Sequence, residues 1–186
     1  MDESRQFLAT KDNHIADTKE ARGLKLGAAE NFALLMVRAW VRVLTAKRGS
    51  APVHDALNIW NRGFCQVGTV TASKSLDQFM SMLARKSQHK IEIGCPKCLA
   101  PNSDEQRILE CMRAYQRGDV CKGRGLLSYW LSDEDMGFAE HQLILFVAAL
   151  SEKAYIFRDR LPCSVGGPAR KTASDADAMS DHLEAF

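Results

Sequence analysis

Asn31-Phe32-Ala33-Leu34-Leu35-Met36-Val37-Arg38-Ala39-Trp40-Val41-Arg42-Val43-Leu44-Thr45 is the stretch that decides the fold. Phe32, Leu35, Met36, Ala39, Trp40, Val43 and Leu44 recur at three- and four-residue spacing, which gathers them on one face of an α-helix. Asn31, Arg38, Arg42 and Thr45 fall on the opposite side, where a solvated polar face is the simplest account. The helical pattern runs from Leu24 to about Lys47. Gly49-Ser50, followed by Pro52, ends it.

The same period continues down the chain. Val53, Ala56, Leu57, Trp60 and Phe64 form the stripe of a helix from Pro52 to about Phe64, with Ser50 as cap and Pro52 in the first turn, where a missing N–H costs little. Val67-Gly68-Thr69-Val70 is a break. Ser75 and Gln78 have capping-box spacing, which predicts a helix to Lys86 with Leu76, Phe79, Met80 and Leu83 inward. His89 to Ser103 is irregular, with Ile91 and Ile93 alternating about Glu92 as a brief extended run. Ser103, followed by Asp104 and Glu105, suits a helix start. That helix reaches about Gln116, with Ile108, Leu109, Met112 and Tyr115 inward. Arg117-Gly118-Asp119 is a turn. A shorter helix ends near Leu131, and a last one runs from Ser132 to about Arg158. The fold expected is all-α, a single-domain bundle of five to seven helices around an irregular cysteine-containing loop. The helical domain spans residues 23–160, between a flexible arm at 1–22 and a disordered tail at 161–186 that is rich in Gly, Ala, Ser and Asp.

Bulk properties are those of an ordinary globular chain. Its 186 residues are 46% hydrophobic and 26% charged, with a net charge of +2, so composition does not mark a nucleic-acid binder or a membrane-surface protein. The longest uncharged apolar run, Leu143 to Leu150, is far short of the about 20 residues that span a bilayer. Met1-Asp2-Glu3-Ser4-Arg5-Gln6 lacks the charged and apolar regions of a signal peptide. A cytoplasmic protein is expected, and its six cysteines are then thiols or ligands before they are disulfides.

The chemical content lies in Cys95-Pro96-Lys97-Cys98. Two thiols separated by two residues on a proline-stiffened knuckle suit a soft metal, zinc ahead of an iron–sulfur cluster. A closed structural zinc site needs two further ligands. His89 lies six residues upstream, and Cys111 and Cys121 follow, with Cys65 and His54 more distant. A Cys95, Cys98, Cys111, Cys121 tetrad requires the knuckle to fold back along a helix, since Cys111 lies about 10 Å beyond the helix start. Cys111 and Cys121 stand nearly symmetrically about the 117–119 turn and would face each other in a helical hairpin. His89 with Cys95 and Cys98 is a compact alternative. Against both stands the plain account that Cys111 and Cys121 are small buried hydrophobes. A redox dithiol is a third option, without the βαβ context of thioredoxin-type sites.

Other signals are weaker. Arg85, Lys86, His89 and Lys90 form a basic patch beside the knuckle, and the 104–131 hairpin has the outline of a helix-turn-helix, so a DNA-binding regulator is an alternative. Gly123 and Gly125 would soften its recognition helix, which favours a plain hairpin. His141 reads as a packed, hydrogen-bonded histidine. No Gly-rich phosphate loop, HExxH, GxSxG or paired-carboxylate motif occurs.

Ile59-Trp60-Asn61-Arg62-Gly63, Leu76-Asp77-Gln78-Phe79 and Gly94-Cys95-Pro96-Lys97-Cys98-Leu99 with Asp104-Glu105 resemble a family of short helical bacterial proteins of unassigned function, over about residues 55–150. That family often carries Cys-Pro-Cys behind an upstream histidine, whereas Lys97 separates the thiols here. The resemblance implies a bacterial, cytoplasmic, helical protein and supplies no activity. The functional expectation is a zinc-binding regulatory or adaptor protein, not catalytic, that acts through a protein partner; a thiol-based redox protein or enzyme is a further alternative.

Overall fold

The computed structural model describes the backbone of residues 8–11 and the chain over 26–98 and 100–158. The rest of the 1–22 arm and the whole 161–186 tail lie outside the described residues. Six helices make up the fold: α1 (Ala28–Thr45), α2 (Ala51–Val67), α3 (Val70–Lys86), α4 (Ser103–Gln116), α5 (Val120–Leu127) and α6 (Asp133–Ser151). Two short strands, β1 (Leu8–Lys11) and β2 (Ile91–Gly94), pair in parallel with Leu8 opposite Ile91 and Lys11 opposite Gly94. The expected all-α single-domain bundle is therefore what the chain forms, with this small ladder added. No described helix is long and apolar enough to cross a membrane.

One core joins every helix. Met36, Leu76, Phe79, Leu83, Ile108, Met112, Trp130 and Phe146 are fully or almost fully buried within it. α3 packs most extensively on α6, α1 on α2, and α4 on α5 and α6. Ile91 and Ile93 alternate with the half-buried Glu92 and point into the same core, as the period of two requires.

Three boundaries differ from the sequence-based expectation. α3 begins at Val70, where the Thr69 side chain accepts a hydrogen bond from the Ala72 N–H; Ser75 is a buried residue within the helix rather than its cap. α4 is capped by Asn102, one residue before Ser103, in a complete capping box with Glu105. α6 ends at Ser151 rather than Arg158, because the chain beyond it is captured in extended form. The Gln116 amide accepts from the Phe157 N–H and donates to the Tyr155 carbonyl. Glu30 Oε1 accepts from the Arg158 N–H at 2.7 Å, and Arg113 Nε donates to the Arg158 carbonyl at 2.6 Å.

The largest departure concerns α1. Arg38 was expected on a solvated face and is 3% exposed, whereas Leu35, expected in the core, is 36% exposed. α1 is enclosed nearly all round, so its apolar residues do not mark a single inward stripe. His141 is likewise exposed on α6 rather than packed.

The α4–α5 hairpin depends on Gly123. A Cβ there would stand 2.6 Å from carbons of the Tyr115 ring, while nothing lies within 4 Å of the equivalent point at Gly125. Gly123→Ala should lower stability by about 1–3 kcal/mol through overpacking. Gly125→Ala should raise it by up to about 1 kcal/mol through helix propensity. Urea midpoints of the two variants will separate packing from propensity, and equal shifts would contradict the close approach.

Candidate functional site

The knuckle is a surface turn held from beneath by buried charge. Glu105, in the first turn of α4, is 1% exposed. Its Oε1 accepts from Arg38 Nε at 2.7 Å and from the Gly94 N–H at 2.9 Å. Its Oε2 accepts from Arg38 Nη2 at 2.8 Å and from the Asn102 N–H at 2.9 Å. Arg38 also donates from Nη1 to the Cys98 carbonyl at 2.6 Å and from Nη2 to the Ala100 carbonyl at 2.9 Å. The guanidinium fork thus pairs with one carboxylate while gathering two loop carbonyls, a geometry that lysine lacks.

Further bonds tie β2 to the start of α4. Asp104 Oδ2 accepts from the Glu92 N–H at 2.8 Å, and Asn102 Nδ2 donates to the Glu92 carbonyl at 2.9 Å. Cys95 leaves β2 directly after Gly94, and the Cys98 N–H closes the turn onto the Cys95 carbonyl at 3.0 Å. The result brings Cys95 Sγ and Cys98 Sγ to 2.8 Å. Both residues are half-buried, and Lys97 at the tip is exposed.

The two thiols are not equivalent. Burial works to raise the Cys95 thiol, but it is outweighed by hydrogen bonds from Cys98 and from the backbone N–H groups of Lys97 and Cys98, with the Arg38 charge adding to them, so Cys95 lies below the usual thiol range. Burial, the bond to Cys95 and the charge of Cys95 push Cys98 up. A lowered thiol beside a raised one is the arrangement of an attacking and a resting sulfur, and it also suits metal loading, which needs the thiolate.

The remaining expected ligands stand apart from this pair. His89 is exposed, and its ring lies against Tyr129 with centroids 4.9 Å apart. Arg107 lies 4.0 Å over the Tyr129 ring. Cys111 is fully buried and its thiol donates to the Gly123 carbonyl at 3.6 Å. Burial and the nearby Glu140 charge push that thiol well up, as befits a packing residue. Cys121 is exposed on α5, as is Cys65 on α2. Cys111 and Cys121 flank the turn as expected but face inward and outward respectively. Among the described residues, no group of three or more His, Cys, Asp or Glu side chains is arranged to hold a metal ion.

Two other surfaces were considered. Arg85, Lys86, His89 and Lys90 are all exposed, and Lys86 is paired with Asp135 at 3.7 Å. A groove of about 500 Å³ lies between α1, α2 and α3, lined by Trp40, Leu44, Leu57, Trp60, Lys74 and Asp77 among others. Trp40 Nε1 donates to Asp77 Oδ1 at its wall, at 2.7 Å. Trp40, Leu57 and Trp60, expected inward, therefore border this groove.

Sequence reasoning missed Arg38 and Glu105, the two residues that position the knuckle. The signal was present in Val37-Arg38-Ala39, a lone charge flanked on both sides by long apolar runs, and in a Glu three residues after Asn102. Compared with protein-family models, with curated proteins and with solved structures, the chain matches none.

Glu105→Gln leaves Arg38 buried without its counter-ion. The variant should lose about 3–5 kcal/mol of stability in a urea titration and exchange the Gly94 amide proton faster. A loss below about 1 kcal/mol would mean that the pair is exposed in solution. For the thiols, the alkylation rate follows the thiolate fraction. In a Cys65→Ser, Cys121→Ser background, Cys95 should react first, with a rate midpoint at a pH below the usual thiol value of about 8.5. Cys98 should titrate above that value, and Cys111 should react only on unfolding. Iodoacetamide labelling followed by peptide mass spectrometry over pH checks the order, and equal rates for Cys95 and Cys98 would refute the inequality.

Proposed function

We propose that this chain is a small zinc-binding protein of regulatory or adaptor type, with Cys95 and Cys98 as its metal-binding thiolates and another protein as its partner. The single observation behind this proposal is the convergence of the two sulfurs, 2.8 Å apart, on a turn anchored to the bundle by Arg38. Two sulfurs each about 2.3 Å from a tetrahedral ion stand about 3.8 Å apart, so rotation of the side chains by about 1 Å loads the pair. The Arg38 charge next to the Cys98 carbonyl offsets part of the negative charge that two thiolates bring.

An iron–sulfur centre is the variant of the same proposal, and visible absorption distinguishes it, since zinc is colourless. In keeping with the resemblance drawn from the sequence, the setting proposed is a reducing bacterial cytoplasm, where the thiols stay available.

A second function is favoured by the lowered Cys95 thiol beside Cys98. In a thiol-based redox protein the two thiols would give up two protons and two electrons to a partner disulfide, which leaves as a dithiol.

Elemental analysis and thermal melting of the wild type and of Cys95→Ser, Cys98→Ser test the zinc proposal. Zinc content and melting temperature should fall together in the double variant, because metal binding is folding free energy for the loop. Equal metal content and equal melting in both proteins would overturn it.

A further inference from the structure

Two thiolates fill half of a closed tetrahedral zinc site. Along the loop and the helix after it, the other donor groups are already committed. The Glu105 carboxylate accepts four hydrogen bonds, two of them from Arg38. Asp104 holds the Glu92 N–H, His89 lies against Tyr129, and Cys111 is enclosed in the core. The knuckle itself is open to a second molecule, since Cys95 and Cys98 are half-buried at the surface and Lys97 is exposed.

Resting on the zinc proposal for this knuckle, we infer that the other half of the site is the same knuckle of a second copy of the chain. One zinc ion is then bound by Cys95 and Cys98 from each of two copies, on a twofold axis. A symmetric pairing needs only a patch that is complementary to itself, and a convex turn carrying two sulfurs satisfies that through the ion. Charge supports the pairing. A zinc ion with four thiolates carries a formal charge of −2 by the ligand charges involved. Arg38 is balanced by Glu105, so each knuckle brings the exposed Lys97 as its cation, and two lysines match the centre. The N–H groups of Lys97 and Cys98 directed at Cys95 support a thiolate there in both copies.

Stoichiometry tests the inference on the full chain with Cys65, Cys121 and Cys163 replaced by serine, so that exposed thiols do not compete. Cobalt(II) titration under reducing, anaerobic conditions should break at one ion per two chains. Light scattering on the zinc-loaded protein should give twice the 20.7 kDa chain mass, returning to one chain on chelation. One ion per chain in a monomer would overturn the shared site and leave the zinc proposal standing. A dimer that persists unchanged without metal would also overturn the shared site. Failure to bind either ion would overturn both.

Discussion

The buried pairing of Arg38 with Glu105 is the constraint on which the rest of the site depends. Each ion alone would cost several kcal/mol to remove from water, and the pair is tolerable because nearly every donor and acceptor is used. The carboxylate serves at once as counter-ion to α1, as the reciprocal partner in the α4 capping box, and as acceptor for the last amide of β2. The guanidinium in turn fixes two carbonyls of the cysteine loop. A loop rich in turn residues would otherwise have few packing contacts of its own. Here its shape is inherited from a helix more than sixty residues earlier.

α4 carries a second network of the same type at its other end. Arg113, nearly as buried as Arg38, bonds Glu30 of α1 and pairs with Glu110. Glu140 of α6 accepts from the Tyr115 hydroxyl at 2.9 Å and from Arg124 of α5. α4 therefore serves as the hub through which α1, α5, α6 and β2 are aligned by directional bonds as well as by apolar packing. Hydrophobic burial alone would tolerate small rotations of these helices; the bidentate and capped carboxylates do not.

The helical architecture was legible because five of the six helices carry a clear three-to-four-residue period and because glycine, proline and acidic first turns separate them. Boundaries failed where two polar residues competed for one role. Asn102 precedes Ser103, and only Asn102 stands three residues before Glu105; Thr69 pre-empted Ser75 because it lies directly after the left-handed Gly68. The cysteine knuckle was legible as a thiol pair, since spacing alone forces Cys95 and Cys98 together. Its partners were not, because symmetry in sequence about a turn says nothing of helical rotation. Cys111 follows Ile108 on the inward face of α4, and Cys121 falls in the first, outward turn of α5. The role of Arg38 was hidden by a rule that assigns charge to the surface; its place within an apolar stretch on both sides was the contrary sign.

The bond between Glu30 and Arg158 joins positions 128 residues apart. On the ribosome, α1 is complete long before its partners exist. The Glu30 carboxylate has no cation until Arg113 emerges, and it gains the Arg158 amide only when the last described residue has left the exit tunnel. Burying that carboxylate earlier would leave a charge unmatched in an apolar setting. The first turn of α1 is therefore held in solvent by its own chemistry throughout synthesis, and the bundle closes at the end of translation rather than helix by helix. A nascent chain released before Arg113 would keep this end of α1 open, presenting Ala29, Ala33 and Val37 to chaperones as a mark of incompleteness.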